Sequence, residues 1–393
     1  MTKEKEYFIY LLNCCLNHKI PSYLYDIDWQ GVYNLSEIHN VCAFVTTTLK
    51  KLPAEHQPVG EVRSAFNQQL GYTVMSYDKK SALLSRLRAI FDKNHIDYMF
   101  VKGALLKELY PVPEFRTSGD FDVIVRPEMF DCAVRALLSE NAEITDRLAD
   151  TYSFRIDDML IELHKQSDVG VAYFEDMFSL ARQETAYEYR LDLYNHLLYV
   201  ICHMLKHFAY QGAGIRMLMD VDVLIRSAQP FDENRFYAMC ETAGVLQSAK
   251  TLISLSNYFF DTPAKADIDF AEDRELLSLF EKVMLDGGSF GFEQGTLGAY
   301  YLTKGMKNNK PTLLNKIRGL SVFLFPERDY IINRYPYAAK NAFCLAFAYL
   351  QRMFVGLFRH RKHSKNTIHG ILKDSNISSV QKELLNLLEI EKK

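Results

Sequence analysis

The chain has 393 residues, 48% of them hydrophobic and 24% charged, and a formal net charge of −3. That length exceeds what one core supports and allows two or three. The composition is that of an ordinary globular protein, and the charge supplies no global attraction to nucleic acid or an anionic membrane. The seven cysteines are scattered and form no CxxC pair, which points to reduced thiols in a cytoplasmic protein, neither a disulfide framework nor a structural zinc site.

The N-terminal stretch MTKEKEYFIYLLNCCLNHKI has no cleavage-site pattern. Asn13, Asn17 and His18 break its apolar run, so it reads as an amphipathic helix and not a signal peptide. Up to about residue 92, segments such as YNLSEIHNVCAFVTTTLKKL and YDKKSALLSRLRAIFDKN space apolar residues at three and four, as helices with one buried face do. Asp28, just before Trp29, is placed to cap the first turn of one of them.

Beyond that the period changes. IDYMFVKG is a short apolar strand running into GALLKELYP, a short helix stopped by Pro111. FDVIVRP is a second strand, ended by Pro127 at the first turn of the helix PEMFDCAVRALLSEN. TYSFRI and MLIELHK flank Asp157-Asp158 and read as a hairpin. Strand, helix, strand, helix, strand, strand predicts a small mixed sheet with helices on one side.

The helical period returns in LYNHLLYVICHMLKHFAY and MLMDVDVLIRSA and continues to the C-terminus, interrupted by the glycine-containing loop DGGSFGFEQGT. AKNAFCLAFAYLQRMFVGLF, the least polar of these segments, carries Gln351 and Arg352 in its middle, which suits a buried helix and not a membrane span. The expected plan is α+β: an N-terminal helical region (1–92), a small mixed-sheet α/β core (93–190) and a larger C-terminal helical domain (191–393).

The chemistry concentrates in RTSGDFDVIVRP. Asp120 and Asp122 are two apart on a strand, so both side chains leave the same face, while Phe121, Val123 and Val125 point into the core. Paired carboxylates repel, and a fold keeps them when a divalent cation or a shared proton offsets the repulsion. In MLIELHK the same alternation puts Leu160, Glu162 and His164 on one face. If this strand lies beside FDVIV, Glu162 comes within reach of the aspartates, and three carboxylates form an oxygen-rich site suited to Mg²⁺. The bland alternative is a solvated strand edge. In VKGALL, Gly103 permits close backbone approach at a helix N-terminus, and Lys102 is placed to neutralise a phosphate oxygen.

KGALLKELYP, FRTSGDFDVIVRPEMFDCAVRALL and IELH together resemble the uncharacterised nucleotidyltransferases of family 5, within the DNA polymerase β-like superfamily. HMLKHFAYQGAGIRMLMDVDVLIR and FPERDYIINRYPY are similar to later parts of that family, so the resemblance covers most of the chain. It implies a nucleotidyltransferase core in which Asp120 and Asp122 hold Mg²⁺, with Mn²⁺ as the alternative, and Glu162 is the third acid. It places Gly103 in the nucleotide-binding turn and implies transfer of a nucleoside monophosphate from an NTP, ATP by default, to a hydroxyl. The sequence departs from the superfamily's Gly-Ser pattern: Ala104 follows Gly103, although Thr117 and Ser118 lie near the aspartates.

Ser118 and Gly119 precede the acidic pair, and Arg116, four residues before Asp120, is placed to reach a phosphate or to neutralise the acids. His203, Lys206 and His207 share a helix face and read as a basic cleft wall or as packing, with a zinc pair the weaker reading. Arg216 and Asp220, at i and i+4, read as a surface ion pair, and FRHRKHSK as a solvated helix end. The resulting expectation is an Mg²⁺-dependent enzyme acting on an NTP and a non-polymeric hydroxyl acceptor. A catalytically silent fold binding nucleotide or protein and a phosphohydrolase are the alternatives, and nothing in the charge pattern calls for nucleic acid.

Overall fold

The computed structural model describes residues 1–148, 150–210, 212–288, 296–306, 312–358, 361–373 and 375–388. Most of the loop DGGSFGFEQGT therefore lies outside the described residues. The described residues form two compact units. The first comprises Met1–Asp146, Asp150–Met204 and Gly214–Ser278; the second comprises Arg147–Ala149, Leu205–Ala213 and Leu279–Lys393.

The first unit opens with helices α1 (Lys3–Leu16), α2 (Trp29–Ile38), α3 (Cys42–Leu49) and the long α4 (Gly60–Lys93). Asp28 caps α2 by accepting from the Gln30 amide at 3.0 Å. There follow β1 (Tyr98–Val101), α5 (Gly103–Leu106), β2 (Asp120–Val125), α6 (Phe130–Ser139) and β3 (Glu143–Arg147). β4 (Thr151–Ile156) and β5 (Met159–His164) come next. They form the expected hairpin, and Asp157 and Asp158 both take positive φ, as a two-residue turn between twisted strands requires. Two further short strands, β6 (Ala181–Gln183) and β7 (Glu188–Leu191), complete a seven-stranded mixed sheet in the order β3-β4-β5-β2-β1-β7-β6.

Alternation divides the central strands into two faces. Phe100 of β1, Phe121 and Val123 of β2, Phe154 of β4 and Ile161 and Leu163 of β5 join one core with Leu87 and Phe91 of α4 and Phe130 and Leu137 of α6. Burying each such side chain contributes about 1.5–3 kcal/mol, which fixes the register, because a one-residue slip would carry all of them to the other face. The opposite face is not bare: Met99, Val101 and Ile124 on it are also buried, so the sheet is covered on both sides where one side was expected. Asp120, Asp122, Glu162 and His164 project from this second face.

Helix α7 (Leu193–Tyr210) continues beyond Met204 into the second unit; α8 (Ile215–Ser227), α9 (Glu233–Ala243) and α10 (Leu246–Phe260) belong to the first. α11 (Arg274–Met284) follows, and then α12 (Thr296–Gly305), α13 (Leu313–Leu324), α14 (Arg328–Arg334), α15 (Ala342–Phe358), α16 (Arg361–Lys373) and α17 (Ser375–Leu387) of the second unit. Gly305 and Gly319 let α12 and α13 touch backbone to backbone, since a Cβ on Gly305 would stand 2.4 Å from the Gly319 nitrogen. Among the described residues no helix is long and apolar enough to cross a membrane.

Candidate active site

β2 and β5 run parallel with Asp122 directly opposite Glu162. One ligand atom each from Asp122, Glu162 and His164 lie within 4.8 Å of one another, a set that can hold a metal ion. His164 Nε2 is 3.2 Å from Asp122 Oδ1 and 3.7 Å from Glu162 Oε2, and its Nδ1 is 2.9 Å from the Thr151 hydroxyl across the hairpin. Both ring nitrogens are thus engaged, and the imidazole is fixed beside the acids. His164 stands in the phase of the acidic face; its alternation with Glu162 was the signal for it.

Lys102 is the buried counter-charge. Its Nζ lies 2.8 Å from Asp122 Oδ1 and 3.0 Å from Asp168 Oδ2. The Lys102 backbone sits at φ 55° and ψ −130°, a conformation costing about 1–3 kcal/mol in a residue with a Cβ, which aims the ammonium back across β2. Tyr199 of α7 donates its hydroxyl to Asp168, and His203 Nδ1 is 3.5 Å from the same carboxylate. α7 therefore reaches the acidic face through Asp168, a residue no motif announced.

The three acids titrate apart. Burial, then Asp122, raise the Asp120 carboxyl to about 6. Burial and Asp122 raise Glu162 as well. Burial also pushes Asp122 upward, but Lys102 and the His164 bond overcome it and hold this carboxylate well below its usual range. One permanently ionised acid flanked by two reluctant ones is an arrangement that an added cation relieves.

Thr117 and Ser118, just before Asp120, line a small cleft together with Lys80, Gly103, Lys107, Glu114, Arg116 and Phe121. Arg116 is not aimed at Asp120. It grips Asp220 of α8 in bidentate fashion, Nη2–Oδ2 at 2.6 Å and Nε–Oδ1 at 2.9 Å, and the Tyr110 hydroxyl donates to Asp220 at 2.7 Å. Asp220 thus pairs with a residue 104 positions away and not with Arg216, correcting the expected helix-surface pair. Arg216 instead donates to the Thr117 hydroxyl at 2.8 Å; burial and the neighbouring Arg116 lower its pKa to about 10. Lys80 of α4 donates to the Ser118 carbonyl, and burial and Arg216 push its ammonium below the ordinary value. Both cations are close enough to feel the Asp120 charge.

Gly103 serves close approach. A Cβ there would stand 2.9 Å from Ser118 Cβ and 3.0 Å from Arg116 Nη1. Gly103→Ala should therefore destabilise the fold by about 1–3 kcal/mol through overpacking, read as a lower denaturation midpoint. The same contact puts Ser118 against the turn that Ala104 leaves without a hydroxyl. Gly119 has open space around it, with nothing within 4 Å of an added Cβ. Lys206 and His207 lie on the part of α7 that belongs to the second unit.

Nearer the start of α7, His196 is buried with no hydrogen-bond partner for Nε2, and burial lowers its pKa from 6.5 to about 4. Neutral in the folded state, it stabilises the fold fully above pH 6.5. That contribution is lost as pH falls towards 4, because the unfolded chain takes up the proton first. Thermal unfolding of wild type and His196→Phe should show the wild type losing up to about 3 kcal/mol more than the variant between pH 7 and pH 4.

A mixed sheet with carboxylates on adjacent parallel strands, beside a glycine turn and a cationic cleft, has the organisation of a nucleotidyltransferase-type α+β core. The chain belongs to the uncharacterised nucleotidyltransferase family, whose model matches residues 25–261. No curated protein and no solved structure matches it. The matched region contains every acid and cation of this site and stops before FPERDYIINRYPY, so the resemblance expected there falls outside it.

Proposed function

We propose that the first unit is the catalytic body of an Mg²⁺-dependent nucleotidyltransferase that moves the monophosphate of an NTP, ATP by default, to a hydroxyl of a non-polymeric acceptor. One observation carries the reading: Asp122 and Glu162 face each other on adjacent parallel strands, with His164 alongside and ligand atoms within 4.8 Å. The oxygen donors of Asp122 and Glu162 fit Mg²⁺, with Asp120 on the same strand face but outside the set of ligand atoms within 4.8 Å, and the imidazole of His164 also admits Mn²⁺. When bound, the cation supplies charge stabilisation at phosphate oxygens.

The chain's own groups do the rest. Asp122 stays ionised throughout because Lys102 and His164 hold it so. Glu162 keeps a third of its side-chain surface exposed, and burial and Asp122 raise its carboxyl, which suits a role in taking the acceptor's proton. Ser118 offers a hydroxyl beside Gly103, in place of the serine missing at Ala104. Lys80 and Arg216 meet the polyphosphate, while Arg116, committed to Asp220, positions Thr117 and Ser118. Lys102, Gly119 and His203 complete the proposed nucleotide-binding set within the first unit.

Ala104 favours a second reading, a silent fold that binds nucleotide without turning it over. The test is incubation with α-labelled ATP, Mg²⁺ and a panel of small hydroxyl compounds. Labelled AMP on an acceptor, with pyrophosphate released, supports transfer. Orthophosphate released without any acceptor would replace it with phosphohydrolysis, and saturable binding with no product across the panel would favour the silent fold.

A further inference from the structure

Among the described residues α15 packs mainly through one side, with Phe347 on the other side meeting the Tyr337 ring at 6.3 Å. Leu345, Ala348 and Tyr349 join a small core with Ile331, Ala338 and Tyr335, and Arg352 turns back to the Phe323 carbonyl at 3.0 Å. The other side carries Phe343, Phe347, Leu350, Phe354 and Phe358, each more than half exposed, from 55% at Leu350 to 82% at Phe343. At 100° per residue these five fall within an arc of ~80° along a helix face ~22 Å long. Scattered apolar residues are normal on a surface, but an unbroken stripe of four phenylalanines and a leucine is not.

Charge says what covers it. Between Tyr330 and Lys373 the chain has no Asp or Glu and eight Lys or Arg, in a protein whose net charge is −3. Lys340 stands exposed before the stripe, and Arg361 and Lys365 of α16 stand exposed after it. α16 is held against the end of α15, where the Ser364 hydroxyl donates to the Gly356 carbonyl at 3.0 Å. We infer that this face docks on an anionic lipid bilayer: the aromatic stripe lies in the headgroup–acyl boundary and the flanking cations meet lipid phosphates. A second copy of the chain would bring the same cations against themselves, and a nucleic acid would use the cations but leave a continuous apolar stripe unsatisfied. The basic run read from sequence as a solvated helix end thereby acquires a partner.

Flotation of the full chain with phosphatidylcholine vesicles, and with vesicles also containing phosphatidylglycerol, tests this independently of any nucleotide. Binding only to the anionic vesicles, weakened by salt, is expected. Phe343→Ser/Phe347→Ser/Phe354→Ser should weaken it by more than about tenfold. Arg361→Gln/Lys365→Gln should weaken it by about fivefold per charge, and it leaves the packed side of α15 untouched, so it stands even if the triple variant folds poorly. No wild-type binding to anionic vesicles overturns the inference. So does self-association, or RNA binding, that the phenylalanine substitutions abolish while vesicle binding persists.

Discussion

Asp122→Asn is expected to lower nucleotidyl transfer by about 1,000-fold or more, and Mg²⁺-dependent ATP binding by about 100-fold. The substitution keeps the size of the side chain and one acceptor oxygen for Lys102 and His164, but removes the only acid of the three that the surroundings hold firmly ionised. Glu162→Gln should spare binding more than turnover if its role is to accept the acceptor's proton, with a loss of about 10²–10⁴-fold in rate. His164→Gln should lie between, at about 10–100-fold in cation affinity, as expected for a residue fixed by Thr151 and bonded to the Asp122 carboxylate. Calorimetric titration with ATP at fixed Mg²⁺ and pyrophosphate release measure the two effects separately. A variant at position 122 that turns over like wild type would remove this carboxylate from the chemistry.

The largest effect on stability should come from Asp220→Ala. Asp220 accepts two bonds from Arg116 and one from Tyr110 in a fully buried site. Removing it leaves a desolvated guanidinium and a phenol without their acceptor, which costs about 3–5 kcal/mol where a buried pair is broken from one side. For a body of this size that corresponds to a fall in Tm of about 10 °C. Arg216→Ala should behave oppositely. Its guanidinium makes one hydrogen bond, to Thr117, and burial beside Arg116 penalises its charge, so stability should change by less than about 1 kcal/mol while ATP binding weakens. Equal Tm losses in the two variants would mean that the i, i+4 pair read from sequence exists in solution after all.

The sequence made the sheet's acidic face legible because a period of two is unambiguous. Once FDVIV and MLIELH are strands, the phase of Asp120, Asp122, Glu162 and His164 follows, and only their adjacency needs the structure. The hairpin was legible for the same reason, with Asp157-Asp158 marking its turn. β6 and β7 were not, because strands of three and four residues carry no period, and β7 pairs with β1 some 90 residues earlier. Local spacing also misdirected where a long-range partner won: Arg216 and Asp220 are neighbours on α8, yet Asp220 is taken by Arg116 from the segment before β2. Lys80 sits on a long helix that read as support, and nothing in its own turn shows that the Ser118 carbonyl meets it. The exposed stripe on α15 read as a buried helix because apolarity in sequence does not tell which side finds a partner.

Thermal unfolding with each NTP, with and without Mg²⁺, on wild type and an Asp120→Asn/Asp122→Asn variant tests the central claim most directly. A ligand at 100 times its dissociation constant adds about 2.7 kcal/mol. The wild type should therefore show a clear rise in Tm with at least one NTP, ATP first, only when Mg²⁺ is present, and the variant should show none. A well-folded wild type that no NTP stabilises, or a shift that survives loss of both aspartates, would contradict the assignment of this face as a nucleotide and metal site.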